Sequence, residues 1–228
     1  MMRKEELAGM IDHTLLRPHA TADDIRRLVG EARDYGFGAV CVNPYWVSLA
    51  REEAGTGIGV VCVVGFPLGQ SVQNVKMQEA SCAIDDGASE VDMVINIGAL
   101  KSQRFGEVEG EIAAIASLGV PVKAIIETCY LLPEEKVMAC ELAKRAGASC
   151  VKTSTGFGPY GATEDDVRLM RRIVGDGMGV KAAGGIASWE QTERLIAAGA
   201  SRIGASKSIQ ILKGFAAESR EGAHPSVE

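Results

Sequence analysis

Residues 147–185 read GASCVKTSTGFGPYGATEDDVRLMRRIVGDGMGVKAAGG and hold one complete unit of the chain's architecture. The unit opens with a short apolar run, at about 149–153, that ends in Lys152 and small hydroxylated residues. From Thr163 the spacing changes. TEDDVRLMRRIVG has helical spacing, opens with Thr163 and three acidic residues, and closes with Gly175. A Thr side chain there accepts from a free backbone N–H, acids suit the positive end of a helix, and glycine suits its stop. A second apolar run, at about 179–183, ends in Lys181 and two glycines. Strand, helix and strand follow in that order. The strands are apolar throughout instead of alternating, as parallel strands covered on both faces must be.

The same alternation extends in both directions. Further strands are expected at about 11–16, 38–43, 58–65, 90–97, 121–127 and 201–205, where the runs are rich in Val and Ile. Helical spacing appears from Thr21, Ser71, Phe105, Leu132 and Ser188, with a shorter helix in PYWVSLAREEAG. Eight such units in 228 residues predict a compact (β/α)8 TIM barrel, an α/β fold forming a single domain over 1–228. A doubly wound open sheet is the alternative, because periodicity reports parallel strands but not closure of the ring. It would ordinarily carry GxGxxG after the first strand, and this chain does not. The tail ESREGAHPSVE has no apolar period, so a loose segment is expected from about residue 217.

Composition narrows the function. The formal charge of -6 argues against a general nucleic-acid binder and leaves room for a local basic pocket for a phosphorylated metabolite. Six cysteines without a CxxC pair read as buried thiols of a reducing compartment. The segment MMRKEELAGMID has acids where a signal peptide needs its apolar stretch, and no run is long enough to span a bilayer. A cytoplasmic protein without a membrane partner is expected. No HxH, HExxH or cysteine cluster points to a metal.

In a barrel the C-terminal ends of the strands converge on one mouth. The polar residues at those ends are Asp12, Asn43, Asp92, Asn96, Lys123, Glu127, Lys152 and Lys181. Lys152 and Lys181 occupy parallel contexts on neighbouring strands. Two ammonium groups in a desolvated space lower the pKa of at least one, and the freed amine attacks carbonyls to give a Schiff base. The residues leave a second reading open, in which one lysine pairs with Asp92 or Glu127 and merely neutralises the interior. Asp92 inside a barrel needs cationic partners, and one Asp with two Lys makes a proton relay. Gly184 and Gly185 in AAGGIAS, and Gly204 and Ser206 in RIGASKS, admit an anion against the first N–H groups of the last helix. Lys207 either adds charge there or faces solvent. His13 and His19 are further candidate acids, Cys41 reads as core, and Tyr130 and Phe157 either line the mouth or cover loops.

IDHTLL, VCVNPYWV, VVGFPLG, EVDMVINIGALK, VKAIIET, CVKTSTGFGPYGAT, VKAAGGI and RIGAS together resemble the deoxyribose-phosphate aldolase family over nearly all of residues 5–215. The combination of VDMVIN, VKTSTGF and VKAAGG carries the resemblance. It implies a class I aldolase on a (β/α)8 barrel that reversibly cleaves 2-deoxy-D-ribose 5-phosphate to acetaldehyde and D-glyceraldehyde 3-phosphate without a cofactor. By that similarity Lys152 is the Schiff-base lysine, Lys181 the second active-site lysine and Asp92 the proton-relay aspartate. Asp12 and Thr14 match residues near the mouth; Gly184, Gly185, Gly204 and Ser206 match the phosphate contacts. Lys207 stands where some members have a second serine, and Phe157 where some have a lysine. The resemblance implies a homodimer. A bulkier residue at Gly204 is expected to raise KM for the phosphorylated sugar more than for free deoxyribose. A transaldolase, an isomerase and a non-catalytic phosphometabolite-binding barrel are the competing readings.

Overall fold

Ring closure rests on the pairing of the first strand with the last. The computed structural model describes residues 2–221. Among them eight parallel strands run in chain order: β1 (Ile11–Leu15), β2 (Ala39–Val42), β3 (Gly59–Val64), β4 (Glu90–Val94), β5 (Val122–Ile125), β6 (Cys150–Lys152), β7 (Gly179–Ala183) and β8 (Arg202–Ala205). β8 returns to β1 through the pairs Ile11↔Ile203, Asp12↔Gly204 and His13↔Ala205. The sheet is therefore a closed (β/α)8 barrel, and the open-sheet alternative falls.

The helices of the described residues are α1 (Lys4–Gly9), α2 (Ala22–Tyr35), α3 (Val47–Ala54), α4 (Gln73–Asp85), α5 (Ile97–Lys101), α6 (Phe105–Ala116), α7 (Pro133–Arg145), α8 (Glu164–Val174), α9 (Trp189–Ala197) and α10 (Ser208–Glu221). Several begin as their sequences dictate. Thr21 accepts from Asp24 N at 3.3 Å while the Asp24 carboxylate returns to Thr21 N at 3.0 Å, and Thr163 accepts from Asp166 N at 3.1 Å. α2 stops at Gly36, whose φ of 71° suits a residue without a Cβ. α8 buries Val167, Met170 and Val174 against the barrel, each worth about 1.5–3 kcal/mol. α1 was outside the expected pattern. Its Leu7 and Ala8 are buried, and it lies against the start of β2, where Gly38 N donates to Ala8 O at 3.2 Å.

β4 ends at Val94, short of the expected 97. Beyond it Asn96 caps α5, accepting from Ala99 N at 3.0 Å, while its own N–H is taken by Glu111 at 2.6 Å. Glu111 is in turn paired in the interior with Lys76 at 2.7 Å, and Lys76 donates to Val94 O at 2.8 Å. These bonds replace the ladder, so Asn96 does not share a strand face with Asp92. At the other end of the chain, the tail expected to be loose from about 217 begins inside α10, anchored upstream by the buried Ile211, Leu212 and Phe215. Residues 222–228 lie outside the described residues.

The main apolar core fills the layer between strands and helices. Inside the barrel a small cluster of Leu16, Ala39, Cys41, Val61 and Val63 occupies the β2–β3 side, which places Cys41 in the core as expected. Charged side chains from the remaining strands fill the rest of the interior.

Candidate active site

The register builds the charged interior. Asp92 on β4 stands beside Lys123 on β5, and Lys152 on β6 beside Lys181 on β7. All point inward, and the Asp92 carboxylate gathers three ammonium groups. Lys123 Nζ donates to Oδ1 at 2.9 Å, while Lys152 Nζ and Lys181 Nζ donate to Oδ2 at 2.9 and 2.7 Å. Lys181 also donates to Asp12. Arg202 Nε pairs with the other Asp12 oxygen at 3.2 Å and its Nη2 with Glu90 at 2.8 Å, and Lys123 reaches Glu90 as well. Lys123, Lys152, Lys181 and Arg202 thus face Asp12, Glu90 and Asp92. The set carries one positive charge in excess when all are ionised, and loss of one ammonium proton leaves it neutral.

These contacts fix the electrostatics. Burial alone would raise the Asp92 carboxyl, but Lys123, Lys152 and Lys181 outweigh it and hold the group well below the usual carboxylate range. Asp12 is lowered in the same way, burial being outweighed chiefly by Lys181, Lys123 and Arg202. For Lys181, burial disfavours the charged form, yet Asp12 and Asp92 prevail and hold the ammonium well above the ordinary lysine range. The sequence expectation took burial and like charge as the controlling forces. At Lys181 two carboxylates in direct contact reverse the result, because opposite charges at hydrogen-bond distance act more strongly than like charges further away. The alternative of a lysine neutralising Asp92 is realised together with the clustering of Lys152 and Lys181, and it is Lys123 that was not singled out for it.

Above this cluster opens a cavity of about 550 Å³. Of the three interior lysines, Lys152 alone lines it; Lys181, Asp92 and Asp12 lie beneath, each 0% exposed. Thr14, Gly184, Gly204, Ser206, Lys207 and Phe157 line the wall, whereas Gly185 is exposed outside it. Thr14 is oriented by donating to Asp12 O at 2.9 Å. Tyr130 is not part of the wall, and His19 is exposed on the loop after β1. A Cβ built on Gly204 would fall 2.9 Å from Lys181 Cε and 3.1 Å from Ala183 Cβ, so this position faces the charged interior.

Sequence reasoning gave no role to Arg202 and Glu90, which complete the charge network, and considered Glu127 only as a partner for an interior lysine. Glu127 carries no lysine. It takes the left-handed backbone conformation, φ 51°, and its buried carboxylate accepts from Thr155 N at 3.1 Å and from the Thr155 hydroxyl. That bond pair holds the Thr155–Phe157 segment, which lines the cavity three residues beyond Lys152. The polar end of VKAIIET was the available signal, but the partner lies 28 residues away in sequence. Among the described residues no group of three or more His, Cys, Asp or Glu is placed to hold a metal ion.

A family model described as "DeoC/LacD family aldolase" matches residues 7–217. A protein of Thermococcus kodakarensis named deoxyribose-phosphate aldolase is 56% identical over 220 residues, covering 93% of this chain and 98% of its own. A solved structure titled "QR15, an Aldolase" superposes with a TM-score of 0.90 at 40% identity, over 94% of this chain and 98% of that one. A deoxyribose phosphate aldolase from Aeropyrum pernix, described as having a unique tetrameric structure, superposes at 0.87 with 36% identity, over 95% and 93%.

Proposed function

The chain belongs to the DeoC/LacD family of aldolases, and from that premise we infer that it is a deoxyribose-phosphate aldolase. It reversibly cleaves 2-deoxy-D-ribose 5-phosphate to acetaldehyde and D-glyceraldehyde 3-phosphate through an imine on Lys152. The observation that carries this assignment is that Lys152 is the interior lysine lining the cavity, while Lys181 is held between two carboxylates below it.

Lys152 releases one ammonium proton, which leaves the interior charge set neutral, and its free amine adds to C1 of the open-chain sugar; a proton returned to the carbinolamine hydroxyl lets it depart as water and gives a protonated imine. Carbon counting fixes the next step. Acetaldehyde carries away C1 and C2, so the C2–C3 bond breaks; its electrons enter the imine to form an enamine, and the C3 hydroxyl loses its proton as C3 becomes the aldehyde of glyceraldehyde 3-phosphate. Protonation of the enamine at C2 and addition of water then release acetaldehyde and restore the amine. Asp92 handles the protons in this scheme. Three ammonium neighbours make it a weak base in the resting cluster, but formation of the neutral enamine removes one of them and raises its basicity when a proton must be taken. Lys181 stays charged throughout and fixes the carboxylate. At the other end of the cavity the phosphate meets the Gly184 and Gly204–Ser206 segments and the first N–H groups of α10, with Lys207 beside it. Gly185 belongs to this loop without facing the cavity. The assignment is tested by incubating the purified protein with 2-deoxyribose 5-phosphate and assaying acetaldehyde; a folded protein that releases none overturns it.

Gly204 now carries a different expectation from the one drawn from sequence. A methyl group there presses on Lys181, which has no room to yield at 0% exposure. Gly204→Ala is expected to lower kcat on phosphorylated and free deoxyribose alike, about tenfold or more. A rise confined to KM for the phosphorylated sugar would return the residue to a purely phosphate-binding role.

We further propose a cytoplasmic homodimer. The six free cysteines suit a reducing compartment, and Tyr45, Leu68 and Val72 offer exposed apolar surface on the loops after β2 and β3. Sedimentation at working concentration is expected to give twice the 24.0 kDa chain mass. A single species at chain mass, or a tetramer like that described for the Aeropyrum pernix protein, would overturn the dimer, and recovery of the native protein outside the cytosolic fraction would overturn the compartment.

A further inference from the structure

Beside the phosphate end of the cavity, the His13 ring is only 4% exposed and has an acceptor at each nitrogen. His13 lies between strand and helices, because alternation along β1 turns it outward while Asp12 and Thr14 face in. Its Nε2 is 2.8 Å from Glu31 Oε2 on α2, and its Nδ1 is 3.0 Å from Ser208 Oγ at the start of α10. Ser208 Oγ donates its one proton to Ala205 O at 2.8 Å, so towards the ring it offers a lone pair. The Glu31 carboxylate has lone pairs only. Glu31 and Ser208 thus set an acceptor against each ring nitrogen, the arrangement that an imidazolium satisfies with both of its N–H groups.

We propose that His13 is a phosphate-specificity residue of this enzyme, its fixed positive charge cancelling Glu31 in the cavity wall and tying α2 to the loop and helix that receive the phosphate. The proposal rests on the aldolase reading above. Glu31 lines the cavity and its side chain is 34% exposed, so without a partner it would present a carboxylate to an anionic substrate. The other charges near the pair leave this role to His13. Lys207 and Lys213 share with His13, Glu31 and Ser206 an adjoining cavity of about 420 Å³, but neither pairs with Glu31. On α2, Arg27 is engaged by Asp24 at 3.5 Å. The Phe37 ring packs on His13 at a centroid distance of 5.0 Å and brings no charge. His13 itself has both nitrogens occupied and acts as a positioning residue, not as the general acid considered from sequence.

The experiment is a charge cycle. Wild type, His13→Gln, Glu31→Gln and the double variant are assayed for kcat and KM on 2-deoxyribose 5-phosphate and on 2-deoxyribose, and the side-chain 15N resonances of His13 are recorded in the wild type. His13→Gln is expected to raise KM for the phosphorylated sugar about tenfold, the effect of one uncompensated like charge near the anion, with little change on free deoxyribose. The double variant should recover most of that loss, and both ring nitrogens should resonate as protonated. Equal losses on both substrates, no recovery in the double variant, or one ring nitrogen found without its proton would overturn the proposal. Should His13→Gln fail to fold, Glu31→Gln alone decides, since a rise in KM for the phosphorylated sugar contradicts the assigned roles. Absence of acetaldehyde from both substrates in the wild type would sink the aldolase reading instead, and the resonances would still report the charge of His13.

Discussion

Borohydride added to the enzyme with acetaldehyde or 2-deoxyribose 5-phosphate is expected to fix a secondary amine on the peptide that carries Lys152, and Lys152→Ala is expected to lose both the adduct and the activity. An imine accepts hydride at carbon and becomes stable to hydrolysis, so the adduct records which amine attacked. The loss of kcat should be at least about 10⁴-fold, the order that follows removal of the nucleophile from a covalent mechanism. Lys181 is no substitute nucleophile. It lies at 0% exposure between Asp12 and Asp92, which together hold it as the ammonium beneath the cavity, whereas Lys152 bonds to Asp92 and lines the cavity. Peptide mass analysis is the check. An adduct on Lys181 would reverse the assignment, and rapid turnover without any adduct would remove the Schiff base and revive an isomerase-like reaction.

Asp92→Asn is expected to cut kcat by about 10²–10⁴-fold and to destabilise the fold by about 3–5 kcal/mol, because three lysines then crowd an amide in a space closed to water. Asp92 and Asp12 lie below the ordinary carboxylate range in the folded state. Their contribution to stability is complete above the unfolded-chain value, about 3.9, and is lost as pH falls through the folded values. Lys181 and Lys123 are raised in the folded state, Lys123 by Asp92 acting against burial and against Lys181. Their contribution is complete below about 10.4 and is lost as pH rises through the folded values. The wild type should therefore hold a flat urea midpoint across neutral pH and lose stability below about pH 4, and Asp92→Asn should weaken that acid limb. An unchanged midpoint at pH 7 in Asp92→Asn would contradict the buried charge cluster.

The order of the elements was legible in the sequence because each is locally encoded. Apolar runs of Val and Ile mark strands buried on both faces, Thr21 and Thr163 mark helix starts through bonds made three residues away, and glycines mark stops. The errors lie where a distant partner decides. β4 reads as reaching 97, but Glu111 and Lys76 claim the backbone groups that would have continued it. The motif resemblance likewise placed Lys152, Lys181 and Asp92 in one site, since the barrel gathers strand ends at a single mouth.

Sequence by itself determined eight parallel strands alternating with helices, with lysines at the ends of two consecutive strands, and ring closure came only with the pairing of β8 with β1. Sequence could not distinguish SCVK from MGVK, because both present an ammonium at the end of an apolar strand. Tertiary structure made them unequal. Packing sets Lys181 under Asp12 and Asp92 and leaves Lys152 lining the cavity. The same holds for Gly204, whose missing Cβ leaves room for Lys181, and for His13, whose ring is bracketed by Glu31 and by Ser208, 195 residues away. Local propensity is written in neighbouring residues, whereas protonation and access depend on which charges the closed ring brings within hydrogen-bond distance.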